Sequence, residues 1–211
     1  MNENKTRLIL ASKSPRRIEL LSNLGINSEI IPADIDERLP ENIAPNCAVE
    51  ELAMKKADFV YSNELLRRIE NFPTNENFAV VAADTMVFKN NILLGKPKNR
   101  GEAYEMLSML SDDFHSVFTG FAVIYKGKCI CRSVETRVHF KKLSDECIEE
   151  YIASGEPFDK AGGYGIQGLG ALFADRIEGD YFNVVGLPLS ELFFAINQEF
   201  GLTVADFARS R

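Results

Sequence analysis

The stretch FAVVAADT, Phe78 to Thr85, decides the fold. Phe78 to Ala83 is a continuous apolar run with no polar alternation, so it reads as a strand buried on both faces. Such strands belong to α/β sheets, and the polar pair Asp84-Thr85 then falls at the strand's C-terminal end. That is where α/β proteins build sites, although an aspartate there also serves as an ordinary turn or cap residue.

Upstream of it, Arg7 to Ala11 (RLILA) predicts a short buried strand. Ser12 to Pro15 follow as a turn and cap, with the proline suited to a first helical position. The next helix carries Ile18, Leu21 and Leu24 on one face and stops at Gly25. Ser28 to Ile31 predicts a second strand, Pro32 to Pro45 an acidic loop, and a long helix runs from about Ala48 into the Leu65 region. Asn71 to Asn77 is polar and contains proline, a surface loop.

Downstream, Met86 to Leu94 forms a hairpin around Asn90-Asn91, and Asn99 caps a helix through Leu110. Ser116 to Tyr125 and Cys129 to Phe140 alternate and turn at Lys126-Gly127-Lys128. Ser144 caps another helix to Ala153, and a glycine-rich stretch spans Ala161 to Gly170. Ala171 to Ile177 and Tyr181 to Val185 suggest a hairpin, and Pro188 to Phe200 a final amphipathic helix. The whole is a mixed α/β fold, one sheet with helices around it, in a single domain over residues 1–211.

Composition narrows the function. With 45% apolar and 26% charged residues the chain is an ordinary globular protein. A net charge of -7 argues against a nucleic-acid binder held by bulk electrostatics. No apolar run approaches a membrane span, and the polar Met1 to Arg7 leads straight into a strand rather than a signal peptide. The cysteines Cys47, Cys129, Cys131 and Cys147 have no metal-ligand spacing and fit reduced thiols in the cytoplasm. A serine hydrolase is disfavoured, because there are only His115 and His139 and no GxSxG. His115 reads as a packed, hydrogen-bonded histidine.

Four places hold chemistry. Ser12-Lys13-Ser14-Pro15-Arg16-Arg17 is a strand-to-helix turn whose hydroxyls, backbone N–H groups and guanidiniums suit phosphate oxygens. A solvated basic first turn is the alternative, but positive charge at a helix N-terminus is unfavourable without an anion. Asp84-Thr85 is the second place, and Gly95-Lys96-Pro97, a lysine in a tight loop, the third. The fourth is DKAGGYGIQG, Asp159 to Gly168. Its GxGxxG lacks the surrounding βαβ unit of a dinucleotide site, so it reads as a flexible loop bringing backbone and Gln167 close to a ligand. No Walker-type P-loop is present.

Taken in order, LILASKSPRRIELLSNLGI, VVAADTMVF, LGKP, FDKAGGYGIQGLGALF and VVGLPLSEL resemble the Maf family of nucleoside triphosphate pyrophosphatases from roughly Leu8 to Phe200. AGGYGIQG, with Thr85 after Asp84, is similar to the branch acting on dTTP and UTP. The resemblance implies an elongated, two-lobed α/β fold like that of the ITPases, with a mixed sheet and a nucleotide cleft between lobes. It also implies a homodimer and a divalent cation, Mg²⁺ or Mn²⁺. Asp84 is implied as general base, with Glu37 and Asp84 as metal ligands. Ser12, Arg17, Lys56 and Lys96 are implied as phosphate binders, and Arg16, Thr85 and Gln167 as the residues that set substrate choice. Lys56 would count as surface charge on residue type alone, and Asp36 as part of an exposed acidic loop. A nucleotide-binding regulator without turnover, linked to cell division, is the rival reading. Two departures from the family pattern are the long stretch around Arg67, Arg68 and Asn75, and Asp112 where the family typically has glycine.

Overall fold

The computed structural model describes residues 6–40, 42–65 and 77–208. The stretch around Arg67, Arg68 and Asn75 lies outside them, as does most of the loop expected from Asn71. In chain order the elements are β1 (Arg7–Leu10), α1 (Pro15–Asn23), β2 (Glu29–Ile30), α2 (Pro45–Phe59, continued by a π-helical turn Val60–Leu65), β3 (Phe78–Lys89) and β4 (Ile92–Leu94). Then come α3 (Arg100–Leu110), β5 (Phe114–Tyr125), β6 (Lys128–Phe140), α4 (Asp145–Ala153), β7 (Ala174–Glu178), α5 (Tyr181–Val185), α6 (Leu189–Phe200) and α7 (Val204–Phe207). Among the described residues the strands form one sheet in the order β2-β1-β3-β5-β6-β7, with β4 added to β3. β1 is parallel to β2 and β3, whereas β4 is antiparallel to β3 and β7 to β6. The expected mixed sheet flanked by helices is what forms.

The register Leu8↔Ala79 and Leu10↔Val81 places β1 beside the apolar run, and Ala79 to Ala83 are fully buried. β3 does not end at Asp84. It continues to Lys89 as one twelve-residue strand, with Asp84 and Thr85 half-buried between two buried runs. The polar pair interrupts the apolar pattern but not the ladder, because the ladder uses backbone N–H and C=O groups whatever the side chain.

The chain divides into two compact units. The first comprises Met1–Asp84, Gly120–Ser133 and Gly186–Arg211. Its core joins Ile9, Val80, Ala82, Ala122 and Ile124 of the sheet to Ile31, Ala53, Ala57 and Val60. α2 approaches β5 at Gly120, where an added Cβ would sit 2.4 Å from the Val49 carbonyl carbon and oxygen. Only hydrogen fits there, so the helix backbone lies directly on the strand. α2 begins at Pro45, ahead of the expected Ala48, because the proline takes the first turn after Ala44. In α1 burial falls on Leu20 and Leu21, while Leu24 is 36% exposed. The helix ends at Asn23, so Leu24 sits at the cap and leaves the helical period.

The second unit comprises Thr85–Thr119 and Val134–Val185. Its core gathers Val87, Leu107, Leu110, Val117, Phe140, Ile152, Tyr164 and Phe173. Asn90 and Asn91, with φ 49° and 64°, make the two-residue turn between β3 and β4, a left-handed pair that asparagine tolerates. Asn99 accepts from Glu102 N, and Ser144 from Cys147 N, as N-caps of α3 and α4. Asp112 has φ 57°, the left-handed region in which glycine is unstrained and Asp is tolerated, so the turn keeps its form. The sequence suggests a strand at Tyr181 to Val185, but that segment is the short helix α5. Asp180 Oδ1 accepts from Phe182 N at 2.8 Å, and buried Asn183 donates to Val117 O (2.9 Å) and Thr136 Oγ1 (3.0 Å). These local and tertiary bonds override the strand propensity of Tyr-Phe-Val-Val.

Candidate active site

In the first unit five separated sequence positions converge. Lys56 Nζ, carried by α2, donates to Asp84 Oδ1 at 2.5 Å and pairs with Glu37 Oε1 at 2.7 Å. The Lys56 side chain is only 12% exposed and that of Asp84 14%, whereas Glu37 is 60% exposed. A lysine that reads as surface charge is therefore held inside, between two carboxylates. Asp36, two residues before Arg38, pairs with that arginine at the surface, as an exposed acidic loop residue does.

Arg17 lies within electrostatic reach of Asp84 and Glu37. Its Nε donates to Gly186 O at 2.7 Å and its Nη1 to Ser12 Oγ at 3.2 Å. Burial pushes the guanidinium below its ordinary value; the charge of Asp84 opposes this, that of Arg16 adds to it, and that of Glu37 opposes it. Arginine stays protonated throughout the working pH range. Ser12 is buried, and its Oγ also accepts from Ser14 N at 3.2 Å. Both of these bonds are accepted ones, so neither uses the hydroxyl proton. α1 has no acidic residue in its first turn, and Arg16 sits half-buried there beside Arg17.

Two carboxylates, Glu37 and Asp84, already converge on one cation, the Lys56 ammonium. Among the described residues no group of three His, Cys, Asp or Glu side chains converges to hold an ion. This donor set fits Mg²⁺, which accepts one or two carboxylates and completes its shell with water and substrate phosphates.

In the second unit Thr85 Oγ1 lies 2.9 Å from Thr119 Oγ1, and Thr119 donates to Asn183 O at 2.9 Å. Thr119 has a single proton, already given to a carbonyl, so Thr85 is the donor in their bond. Lys96 is exposed in the loop after β4. That loop touches the glycine-rich stretch: Gly162 N donates to Gly95 O at 3.0 Å. Gly162 has φ 70°, and a Cβ there would meet Val87 Cγ1 at 2.9 Å. The GxGxxG of the sequence, Gly163 to Gly168, is irregular backbone and a turn between two short 3₁₀ segments, Ala161–Gly163 and Leu169–Leu172, not the start of a βα unit. Gln167 is exposed on it.

Sequence reasoning missed Glu156. It accepts from Leu169 N, Gly170 N and Tyr151 Oη and so sits at the centre of the glycine-rich stretch. The density of glycines was the available signal, since residues without Cβ crowd around something that fills the space. Neither histidine serves a hydrolase triad: His115 Nε2 bonds Tyr164 Oη at 2.7 Å in the core, and His139 pairs with Asp175 at 2.8 Å.

The family described as Maf-like protein matches residues 7–199. A dTTP/UTP pyrophosphatase of Caldicellulosiruptor bescii is 47% identical over 188 residues, covering 88% of this chain and 91% of that protein. Proteins of the same name from Alkaliphilus metalliredigens and Desulforamulus reducens are 45% and 47% identical, covering 94% and 93% of this chain and 98% of each relative.

Proposed function

The chain belongs to the Maf-like protein family, and from that footing we propose that it hydrolyses dTTP and UTP to the nucleoside monophosphate and pyrophosphate. The observation that carries this reading is the buried Lys56 ammonium between Asp84 and Glu37, with the Arg17 guanidinium, bonded to Ser12, in the field of the same two carboxylates. An acidic chain that concentrates cations around two carboxylates is equipped for a polyanion and its counterion. The names of the relatives supply the substrate class.

The reaction needs an oriented water and a neutralised leaving group. Asp84 Oδ1 is tied to Lys56, which leaves Oδ2 to take a proton from water as its oxygen attacks the α-phosphorus. The bond from that phosphorus to the bridging oxygen breaks, and pyrophosphate leaves. Ser12, Arg17, Lys56 and Lys96 bind phosphate oxygens, and Arg16, Thr85 and Gln167 select the base. Glu37 and Asp84 would hold a divalent cation, Mg²⁺ or Mn²⁺, which when bound supplies charge neutralisation at the phosphates.

The chain works in the cytoplasm as a homodimer on free nucleotide. Among the described residues no helix is long and apolar enough to cross a membrane. Incubation of the purified protein with UTP and Mg²⁺ tests the reading. UMP and pyrophosphate are the expected products; UDP and phosphate, or binding without turnover, overturn it.

A further inference from the structure

Gly165 to Gly170 contains no strand, and the backbone bonds Gly168 N to Gly165 O (3.1 Å) and Phe173 N to Gly170 O (3.2 Å) close only local turns. The shape comes from a side chain outside the segment. Glu156 Oε2 accepts from Leu169 N at 2.9 Å, while its Oε1 accepts from Gly170 N at 3.3 Å and from Tyr151 Oη at 3.0 Å. Tyr151 is a buried residue of α4, so the carboxylate is tied to a fixed element. On the other side Lys160 Nζ donates to Glu156 O at 2.9 Å and pairs with Asp159 at 2.6 Å.

The carboxylate and the glycines are fitted to each other. A Cβ at Gly168 would lie 2.4 Å from Glu156 Oε1, and one at Gly165 would lie 2.6 Å from Lys160 Cε and 3.1 Å from Glu156 Oε1. The chain comes this close to an anion because its two amides, Leu169 N–H and Gly170 N–H, need that anion. Gln167 stands immediately before this clamped segment, exposed, with its side chain in no hydrogen bond among the described residues. Left to itself an exposed glutamine samples several rotamers on a mobile loop, and a base reader of that kind discriminates poorly.

We propose that Glu156 is the positioning residue of base selection, its carboxylate clamping the loop after Gln167 so that the amide meets the pyrimidine in one place. The inference rests on Gln167 being the base reader. A carboxylate suits the task because both oxygens only accept, and three donors converge on them. A glutamine at 156 would turn an NH₂ group toward a backbone N–H or the tyrosine hydroxyl and lose at least one of these bonds.

The test compares kcat/KM for UTP and GTP in the full chain for wild type, Glu156→Gln, Gln167→Ala and the double variant, with Tm followed in each. Glu156→Gln should reduce the UTP preference about 10-fold while GTP turnover stays within about 3-fold. In the Gln167→Ala background the same change should alter the preference less than about 2-fold, because the two residues act through one contact. A preference lost in Gln167→Ala but kept in a folded Glu156→Gln overturns the role of Glu156. A preference kept in Gln167→Ala overturns the base-reader assignment and this inference with it. Should Glu156→Gln fail to fold, amide exchange in the wild-type chain decides: slow exchange at Leu169 and Gly170 supports the clamp, and exchange at open-loop rates overturns it.

Discussion

Lys56 Nζ lies 2.5 Å from Asp84 Oδ1 and 2.7 Å from Glu37 Oε1, a single ammonium shared by two carboxylates that are 47 residues apart in sequence. Each carboxylate repels the other, and the buried lysine is what lets them stand together. Both pairings are between side chains, so a charged ligand that competes for Lys56 would displace them without breaking a backbone bond.

Asp84→Asn keeps the size of the side chain and its bond to Lys56 but cannot take a proton. The expected result is a folded protein whose kcat for UTP falls by at least about 10²-fold, the scale of a lost general base. Steady-state assay together with a melting curve checks it. Near-normal turnover would remove Asp84 from the chemistry.

Lys56→Ala should act on every nucleotide alike, because phosphate oxygens carry no information about the base. Loss of a charge-assisted bond of about 2 kcal/mol predicts a drop in kcat/KM of about 30-fold for both UTP and dTTP. A change that strikes one of them and spares the other would contradict a phosphate role.

What was legible in the sequence was chemistry held within a few residues. Asn90-Asn91 announced its turn, and Asn99 and Ser144 announced their helices, because a left-handed φ or an unpaired N–H is satisfied locally. The buried run from Phe78 was legible for the same reason. Asp84 was misplaced at a strand end because the continuation to Lys89 depends on partner strands. Lys56 is indistinguishable by type from its more exposed neighbour Lys55, and only long-range packing brings it inward to two acids. Glu156 gave no signal of its own, and α5 defied its strand-like composition because Asn183 is bonded to Val117 and Thr136.

The placement of Lys56 depends on α2 lying on β5, and Gly120 is the point of contact. Gly120→Ala puts a methyl 2.4 Å from the backbone of Val49, where no rotamer change can relieve it. Destabilisation of about 1–3 kcal/mol is expected, the scale of an overpacked core, with kcat reduced as Lys56 is displaced. Denaturant unfolding at pH 7 measures the first quantity. A variant as stable as wild type would show that α2 can withdraw freely.

His115 makes stability pH-dependent. Burial, reinforced by the charge of Lys89 and that of His139 and opposed by that of Asp113, lowers its pKa from 6.5 to about 3. Between those values the unfolded chain binds a proton that the native chain does not. Stability is therefore retained above pH 6.5 and lost as pH falls through the window, by up to about 1.4 kcal/mol per pH unit. His115→Phe removes that proton. The variant should be weaker at pH 7, where the Tyr164 hydroxyl loses its partner, yet lose about 2 kcal/mol less than wild type on going to pH 5. Parallel losses in urea titrations at the two pH values would exclude His115 as the source.

Thr119→Val tests whether the polarity of Thr85 is imposed from behind. Valine has the shape of threonine without the hydroxyl, so both bonds of the relay vanish: the one from Thr85 to Thr119 and the one from Thr119 to Asn183 O. The buried carbonyl of Asn183 loses a donor, and a cost of about 1–3 kcal/mol in stability follows. The second effect is on selection. In wild type the Thr85 proton is committed to Thr119, so if Thr85 selects the base as proposed, its oxygen serves the N3–H of uracil or thymine as an acceptor. Once released, that proton turns as readily toward the ligand, and an acceptor on a wrong base becomes as welcome as a donor on the right one. The UTP preference over GTP should fall by about 5-fold or more, within the range of one mismatched hydrogen bond. Glu37, Lys56 and Asp84 are untouched, so kcat for UTP at saturation should remain within about 3-fold of wild type. Kinetics with both nucleotides, beside the melting curve, separate the two effects. If the variant is destabilised but its preference is unchanged, Thr119 supports the fold alone and Thr85 does not read the base through its lone pairs.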